Sequence, residues 1–113
     1  MKRLVAGALV AVAALGLAGG VSAAARKGPP AKVQVIVVKN LAFGPAPAGL
    51  RVGQTVEWDN QDIFQHSATA KDGSFNVELP PHSRGRVVLR RAGKIAYYCR
   101  YHPGMTGVLD VKP

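Results

Sequence analysis

The chain contains a single cysteine, Cys99, among its 113 residues. This excludes an intramolecular disulfide, so the domain depends on its core or on a bound group for stability. Acidic residues are also scarce: the six include Glu57, Asp59 and Asp62, which show no pairing suited to acid–base catalysis. The sequence has no glycine-rich phosphate-binding loop. These absences argue against the common classes of enzyme.

The first residues have the layout of a secretory signal peptide. A basic start, Lys2-Arg3, precedes an apolar stretch from Leu4 to Leu17 and then a run of glycine and small residues. We expect residues 1–25 to be a signal peptide, cleaved after residue 23, 24 or 25, and residues 26–32 to be a flexible lead-in to a domain spanning residues 33–113. The alternative is an uncleaved anchor. The pattern predicts an exported protein, in the bacterial periplasm, and associated with the membrane if the segment is retained.

The remaining chain is strongly basic. After removal of residues 1–25 it has 13 Lys and Arg against six Asp and Glu, a net charge of +7 with neutral histidines. Such a charge predicts attraction to acidic surfaces, and export argues against nucleic acid. Acidic redox proteins and anionic membranes remain as candidate partners. Six basic residues could form either a docking face for an acidic partner or an ordinary solvated face, and the sequence favours neither. They are Arg84, Arg86, Arg90, Arg91, Lys94 and Arg100.

The pattern after residue 32 is that of short strands separated by turns. VQVIVV is rich in β-branched residues, and TVEWDN alternates, with Val56 and Trp58 predicted to face inward and Glu57 outward. Ile63 to Lys71 could contain one helical turn. We count seven or eight strands, which predicts an all-β fold: an antiparallel Greek-key β-sandwich or barrel.

Four residues carry the chemistry of this sequence: His66, Cys99, His102 and Met105. Three of them lie within the run YYCRYHPGM. Two imidazoles, a thiolate and a thioether form the soft, mixed donor set that suits a mononuclear type 1 copper, cycling between Cu(I) and Cu(II). Zinc rarely uses a thioether. In the strand ending at Cys99, Ile95 and Tyr97 share its face, so the thiol is expected at the edge of the core.

These motifs resemble those of cupredoxins of the plastocyanin and amicyanin type. The stretch LAFGPAPAGLRVGQTVEWDNQDIFQHS resembles the family's segment up to the first ligand, and IAYYCRYHPGMTGVLDV resembles its ligand loop and last strand. The Cys-x2-His-x2-Met spacing is the short one typical of amicyanins. The resemblance covers about residues 33–111.

The resemblance implies a role for each ligand. His66, Cys99 and His102 would be the strong ligands and Met105 the weak axial one. The ring edge of His102 would serve as the electron port, within an apolar patch. In many family members Asn follows the first ligand, whereas this chain has Ser67, which can still hydrogen-bond across the site in a different way. The candidate patch residues are Phe43, Pro45, Pro47, Pro103 and Gly104.

The resulting prediction is a monomeric, non-enzymatic one-electron carrier that exchanges electrons with redox partner proteins. Two alternatives remain open. The same fold could bind, store or deliver copper in the cell envelope, or the chain could be a basic β-sandwich binding module with a degenerate metal site. Cys99 with His102 could also mimic a thiol–imidazole nucleophile pair, but Met105 has no role in that chemistry. We interpret His82, in a turn after two prolines, as a surface residue.

Overall fold

The computed structural model describes residues 32–113. The predicted signal peptide, residues 1–25, and all of the predicted lead-in except Lys32 lie outside these residues, so both stay predictions. Within residues 32–113, no helix has the length and apolar character needed to cross a bilayer.

Residues 32–113 contain strands joined by turns, with no helical segment among them. The stretch from Ile63 to Lys71, where a helical turn was possible, instead leads into a strand that starts at His66. The strands are β1 (Val33–Lys39), β2 (Ala42–Phe43), β3 (Leu50–Arg51), β4 (Thr55–Asn60), β5 (His66–Ala70), β6 (Asn76–Leu79), β7 (Arg84–Val88), β8 (Gly93–Tyr98) and β9 (Thr106–Lys112).

The strands form two sheets, with orders β2-β1-β4-β7 and β3-β9-β8-β5-β6. The predicted all-β sandwich is confirmed, although with nine strands, of which β2 and β3 have two residues each. The pairs β1–β4 and β3–β9 are parallel, whereas the prediction was an antiparallel sandwich. Parallel neighbours are joined by long crossovers rather than hairpins, so local turn signals do not indicate them.

The core lies between the sheets and is aromatic at its centre. Trp58 packs against Phe75 and Tyr97, with ring centroids 5.5 Å apart in each pair, and Phe43 lies edge-on to Tyr97 at 4.7 Å. Val56 and Trp58 face inward as predicted. Glu57 was predicted to face outward, and it is only 3% exposed because two arginine side chains of the neighbouring β7 cover it.

Candidate metal centre

Cys99 lies directly after β8, at one end of the sandwich. The alternation along that strand places Ile95, Tyr97 and Cys99 in the core, as predicted, and the thiol is fully buried. Three backbone hydrogen bonds then fold the chain back on itself: the His102 amide donates to the Cys99 carbonyl, the Met105 amide to the His102 carbonyl, and the Cys99 amide to the Met105 carbonyl. Met105 is buried next to the start of β9. The short loop therefore brings three predicted ligand residues to one place.

His66 reaches the same end of the sandwich from the first position of β5. Its backbone pairs with Leu79 of β6, and its side chain is fully buried. An imidazole in such a position needs partners for both ring nitrogens, because burying an unpaired polar atom is costly. One nitrogen faces Cys99 and the other faces a carboxylate.

The donor atoms of His66, Cys99 and His102 all lie within 4.8 Å of one another. The Cys99 Sγ atom is 3.6 Å from His66 Nδ1 and 3.8 Å from His102 Nδ1. The two imidazole rings are 5.0 Å apart between centroids. His66 and Cys99, 33 positions apart in the sequence, thus lie together beside His102, and such a cluster of donor atoms is suited to holding one metal ion.

Asp62 determines which nitrogen of His66 faces the thiol. The Asp62 Oδ2 atom lies 2.8 Å from His66 Nε2. Burial alone would raise the pKa of Asp62, but hydrogen bonds from the Leu41 amide, the His66 ring and the Asn40 amide outweigh it and hold the pKa below its ordinary value. The ionised carboxylate only accepts hydrogen bonds, so Nε2 carries the proton and Nδ1 offers its lone pair.

The same carboxylate holds the β1–β2 turn. It accepts hydrogen bonds from the amides of Asn40 at 2.7 Å and Leu41 at 2.9 Å. Both residues have positive φ angles, 53° and 59°, which is unfavourable for leucine and typical of a two-residue hairpin turn. Our sequence reasoning did not identify Asp62 as a site residue. A carboxylate four positions before a candidate histidine ligand was the available signal.

Ser67 connects the two ligand segments. Its amide donates to the Cys99 Sγ atom at 3.4 Å, and its hydroxyl accepts a hydrogen bond from the Arg100 amide at 2.9 Å and lies 2.9 Å from Thr69 Oγ1. A serine was expected to hydrogen-bond across the site in its own way, and the structure has this arrangement. The thiol sulfur therefore faces a backbone donor as well as two imidazoles.

Asn60 holds the loop between β4 and β5. Its fully buried side-chain nitrogen lies 2.9 Å from the Phe64 and Leu79 carbonyl oxygens and 3.1 Å from that of Pro80. Its side-chain oxygen accepts the Asp62 amide at 2.9 Å. None of these contacts of the Asn60 side chain is with the Cys99 segment. It lies instead behind the loop and positions the carboxylate that orients that histidine.

His102 is half-buried, unlike His66. Phe64 lies 6.1 Å from its ring in an edge-on arrangement and is 46% exposed, and the neighbouring Ile63 is 71% exposed. The predicted apolar patch included neither residue. Phe43, which it did include, is partly buried and packs on the core instead.

The remaining candidates lie elsewhere. His82 is exposed in a turn and does not belong to the histidine–cysteine cluster. The six basic residues that were equally compatible with a docking face and with an ordinary solvated face do not lie together, because four of them pair with carboxylates on different parts of the surface. Arg84 and Arg86 pair with Glu57, Arg91 with Asp72 and Arg100 with Glu78.

Comparisons with known proteins agree with this fold. No protein-family model matches the chain. It is 25% identical over 89 residues to the amicyanin of Paracoccus versutus, an alignment covering 74% of this chain and 67% of that protein. The crystal structure of the Paracoccus versutus amicyanin superposes with a TM-score of 0.62 at 23% identity, covering 74% and 85% of the two chains.

A second solved structure, the Cu(I) form of a mutant amicyanin, superposes with a TM-score of 0.60 at 20% identity and covers 71% of this chain and 82% of that one. The chain therefore has a cupredoxin fold. It is similar to amicyanins in particular, and the resemblance read from the sequence is confirmed.

Proposed function

We propose that this protein binds one copper ion through His66, Cys99, His102 and Met105 and carries one electron at a time between redox partners. The convergence of two Nδ1 atoms on a single buried thiol carries this proposal. The likeness to amicyanins, among them one whose structure is described as Cu(I), supports the choice of metal.

The separations between donor atoms fit a shared ion. Metal–sulfur and metal–nitrogen bonds of about 2.3 and 2.0 Å, at the 120° angle of a trigonal plane, put sulfur and nitrogen about 3.7 Å apart. The observed separations of 3.6 and 3.8 Å lie on either side of that value. The thioether of Met105, buried beside the loop, supplies the soft fourth donor that zinc sites rarely contain.

The chain's own groups favour electron transfer over ligand exchange. Bound copper would supply a Cu(I)/Cu(II) couple. Asp62, Ser67 and the backbone bonds of the ligand loop hold the donors in place without a metal, so little rearrangement accompanies a change of oxidation state. His102 is the half-buried ligand candidate, and the exposed Phe64 beside its ring offers an apolar surface through which a partner could approach. We assign no catalytic residue.

The test of this proposal is the visible absorption spectrum after addition of one equivalent of Cu(II), with Cys99→Ser as the control. We expect an intense thiolate-to-copper band that ascorbate bleaches and that the variant lacks. A weakly coloured product from the parent protein would contradict electron transfer through a type 1 site. Copper that then passes readily to an acceptor protein would favour copper storage or delivery.

The export of this protein is also a proposal. The apolar stretch after Lys2-Arg3 and the small residues that follow it support cleavage near residues 23–25 and a periplasmic location. An exported protein with a single thiol needs a bound group on that thiol, since an oxidising compartment would otherwise modify it. N-terminal sequencing of protein recovered after expression of the whole sequence tests this, and an intact N-terminus would contradict it.

A further inference from the structure

The charged side chains of residues 32–113 are divided unequally between the two ends of the sandwich. The metal-centre end is defined by the start of β5, the end of β8 and the start of β9. Four basic and four acidic residues lie on this half, so their charges cancel. They are Lys39, Arg84, Arg86, Arg100, Glu57, Asp59, Asp62 and Glu78.

The opposite end, which we name the distal pole, is strongly positive. Seven basic residues lie there against two carboxylates, an excess of five positive charges. All seven basic side chains are exposed. The basic residues are Lys32, Arg51, Lys71, Arg90, Arg91, Lys94 and Lys112, and the acidic ones are Asp72 and Asp110.

The strand directions produce this grouping. The pole contains the start of β1, the ends of β7 and β9, and the start of β8, together with β3, which pairs with the end of β9. The turn between β5 and β6, with Lys71 and Asp72, joins the pole through the ion pair of Asp72 with Arg91. Arg91 pairs with Asp72, whereas Arg90 and Lys94 form no ion pair among residues 32–113. Arg90 and Arg91 line one surface pocket, but the pole's other positive charges lie on the ends of other strands and in turns. Charges spread in this way are suited to binding a broad anionic surface.

We propose that the distal pole docks the protein on an anionic lipid surface, with the metal centre facing away from it. Charge complementarity is one argument, because basic residues close to an acidic membrane each add to binding. The second argument is the place where the chain enters the sandwich. β1 begins at Val33 within this pole, and the sequence that remains before it after the proposed cleavage adds two more basic residues, Arg26 and Lys27.

An acidic redox protein explains the pole less well. A partner that takes an electron must approach the half-buried His102, at the neutral end of the molecule. The six residue steps from Gly93 to Cys99 span roughly 20 Å at about 3.3 Å per residue, more than two screening lengths of about 8 Å at physiological salt. The pole could therefore rest on lipid while the metal centre stays free.

Charge-reversed variants test the proposal on metal-free protein, so the outcome does not depend on copper. The whole sequence is expressed and its soluble exported form is mixed with phosphatidylcholine vesicles, with or without phosphatidylglycerol. We expect binding only with phosphatidylglycerol, at low ionic strength, and lost at about 0.5 M salt. Arg90→Glu and Lys94→Glu should each weaken it at least about fivefold. Lys39→Glu, an equal charge change on an exposed residue at the other end, should leave it nearly unchanged.

Lysine modification provides a second measurement that also serves if the chain keeps its N-terminal segment in the membrane. With phosphatidylglycerol present, an amine-reactive reagent should label Lys71, Lys94 and Lys112 more slowly than in neutral vesicles, while Lys39 reacts at an unchanged rate. Equal effects of Lys39→Glu and Lys94→Glu, or uniform labelling, would overturn the proposal. So would binding to an acidic protein without binding to acidic vesicles, which would assign the pole to a protein partner.

Discussion

Asp62 Oδ2 lies 2.8 Å from His66 Nε2, and the same carboxylate caps the amides of the β1–β2 turn. One side chain therefore joins a backbone turn to the orientation of a predicted ligand. Groups that hydrogen-bond a metal-bound imidazole set its orientation and basicity. A negative charge there also stabilises Cu(II) relative to Cu(I).

We expect Asp62→Asn to weaken copper binding about 10- to 100-fold and to raise the reduction potential. The amide cannot accept hydrogen bonds on both atoms as the carboxylate does, and the charge is lost. Competitive copper titration and cyclic voltammetry measure the two effects. Asp110→Asn, at an exposed carboxylate on β9, is the matched control. If both variants bind copper equally well, Asp62 does not orient the ligand.

The four ligand candidates could be predicted from sequence because their chemistry is unusual and their order agrees with a known family. The groups that support them could not. Asn60 and Asp62 act through a loop whose path depends on contacts with β6 and the β1–β2 turn, far away in sequence. Glu57 has the position of an outward-facing residue in the alternating pattern of β4. It is buried because the pairing of β4 with β7 brings Arg84 and Arg86 next to it.

Ser67→Ala should lower stability by about 1 kcal/mol, since the Arg100 amide loses its acceptor. The Ser67 amide still donates to the Cys99 Sγ atom, so the copper band should persist. Urea denaturation of the metal-free protein measures the change in free energy of unfolding. Ser83→Ala, which removes a hydroxyl bonded to the Pro80 carbonyl in an exposed turn, serves for comparison. A Ser67→Ala protein as stable as the parent would show that the ligand segments are held together by other contacts.

Glu57 should make the domain sensitive to acid. The hydrogen bond from Arg86 lowers the pKa of Glu57 from its ordinary 4.5, against the opposing effect of burial, and Arg84 contributes further. The folded form therefore binds this proton less tightly than the unfolded one. The resulting stabilisation is complete above about pH 4.5 and is lost as the pH falls through the lower folded-state pKa.

Glu57→Gln removes this effect. We expect the metal-free parent to be more stable than the variant at pH 7, by about 1 kcal/mol because the arginines are largely exposed. The difference should shrink toward pH 3, below the ordinary pKa of Glu57. Chemical denaturation across this range measures it. A difference that stays constant with pH would mean that the titration of Glu57 is not coupled to folding.

Gly107→Ala should destabilise the sandwich by roughly 1–3 kcal/mol. Gly107 pairs with Tyr97 across β8 and β9, and an added Cβ would lie closer than 3.0 Å to the tyrosine ring, which is itself packed against Trp58. Gly104→Ala is the control because a Cβ there meets nothing within 4 Å. Thermal unfolding of both metal-free variants measures the difference. Equal melting temperatures would indicate that the Tyr97 ring moves without cost.

Phe64→Asp should slow electron transfer while leaving the absorption spectrum of the copper protein intact. Phe64 touches the edge of the His102 ring but is not a ligand candidate, so a charge there changes how another molecule approaches the centre rather than the centre itself. Electron self-exchange brings two such apolar surfaces together, and like charges directly opposed would repel. NMR line broadening in mixtures of oxidised and reduced protein gives the rate. Val108→Asp introduces the same charge on a residue 51% exposed on β9 and should have a much smaller effect. Equal slowing by the two variants would place the electron port away from His102.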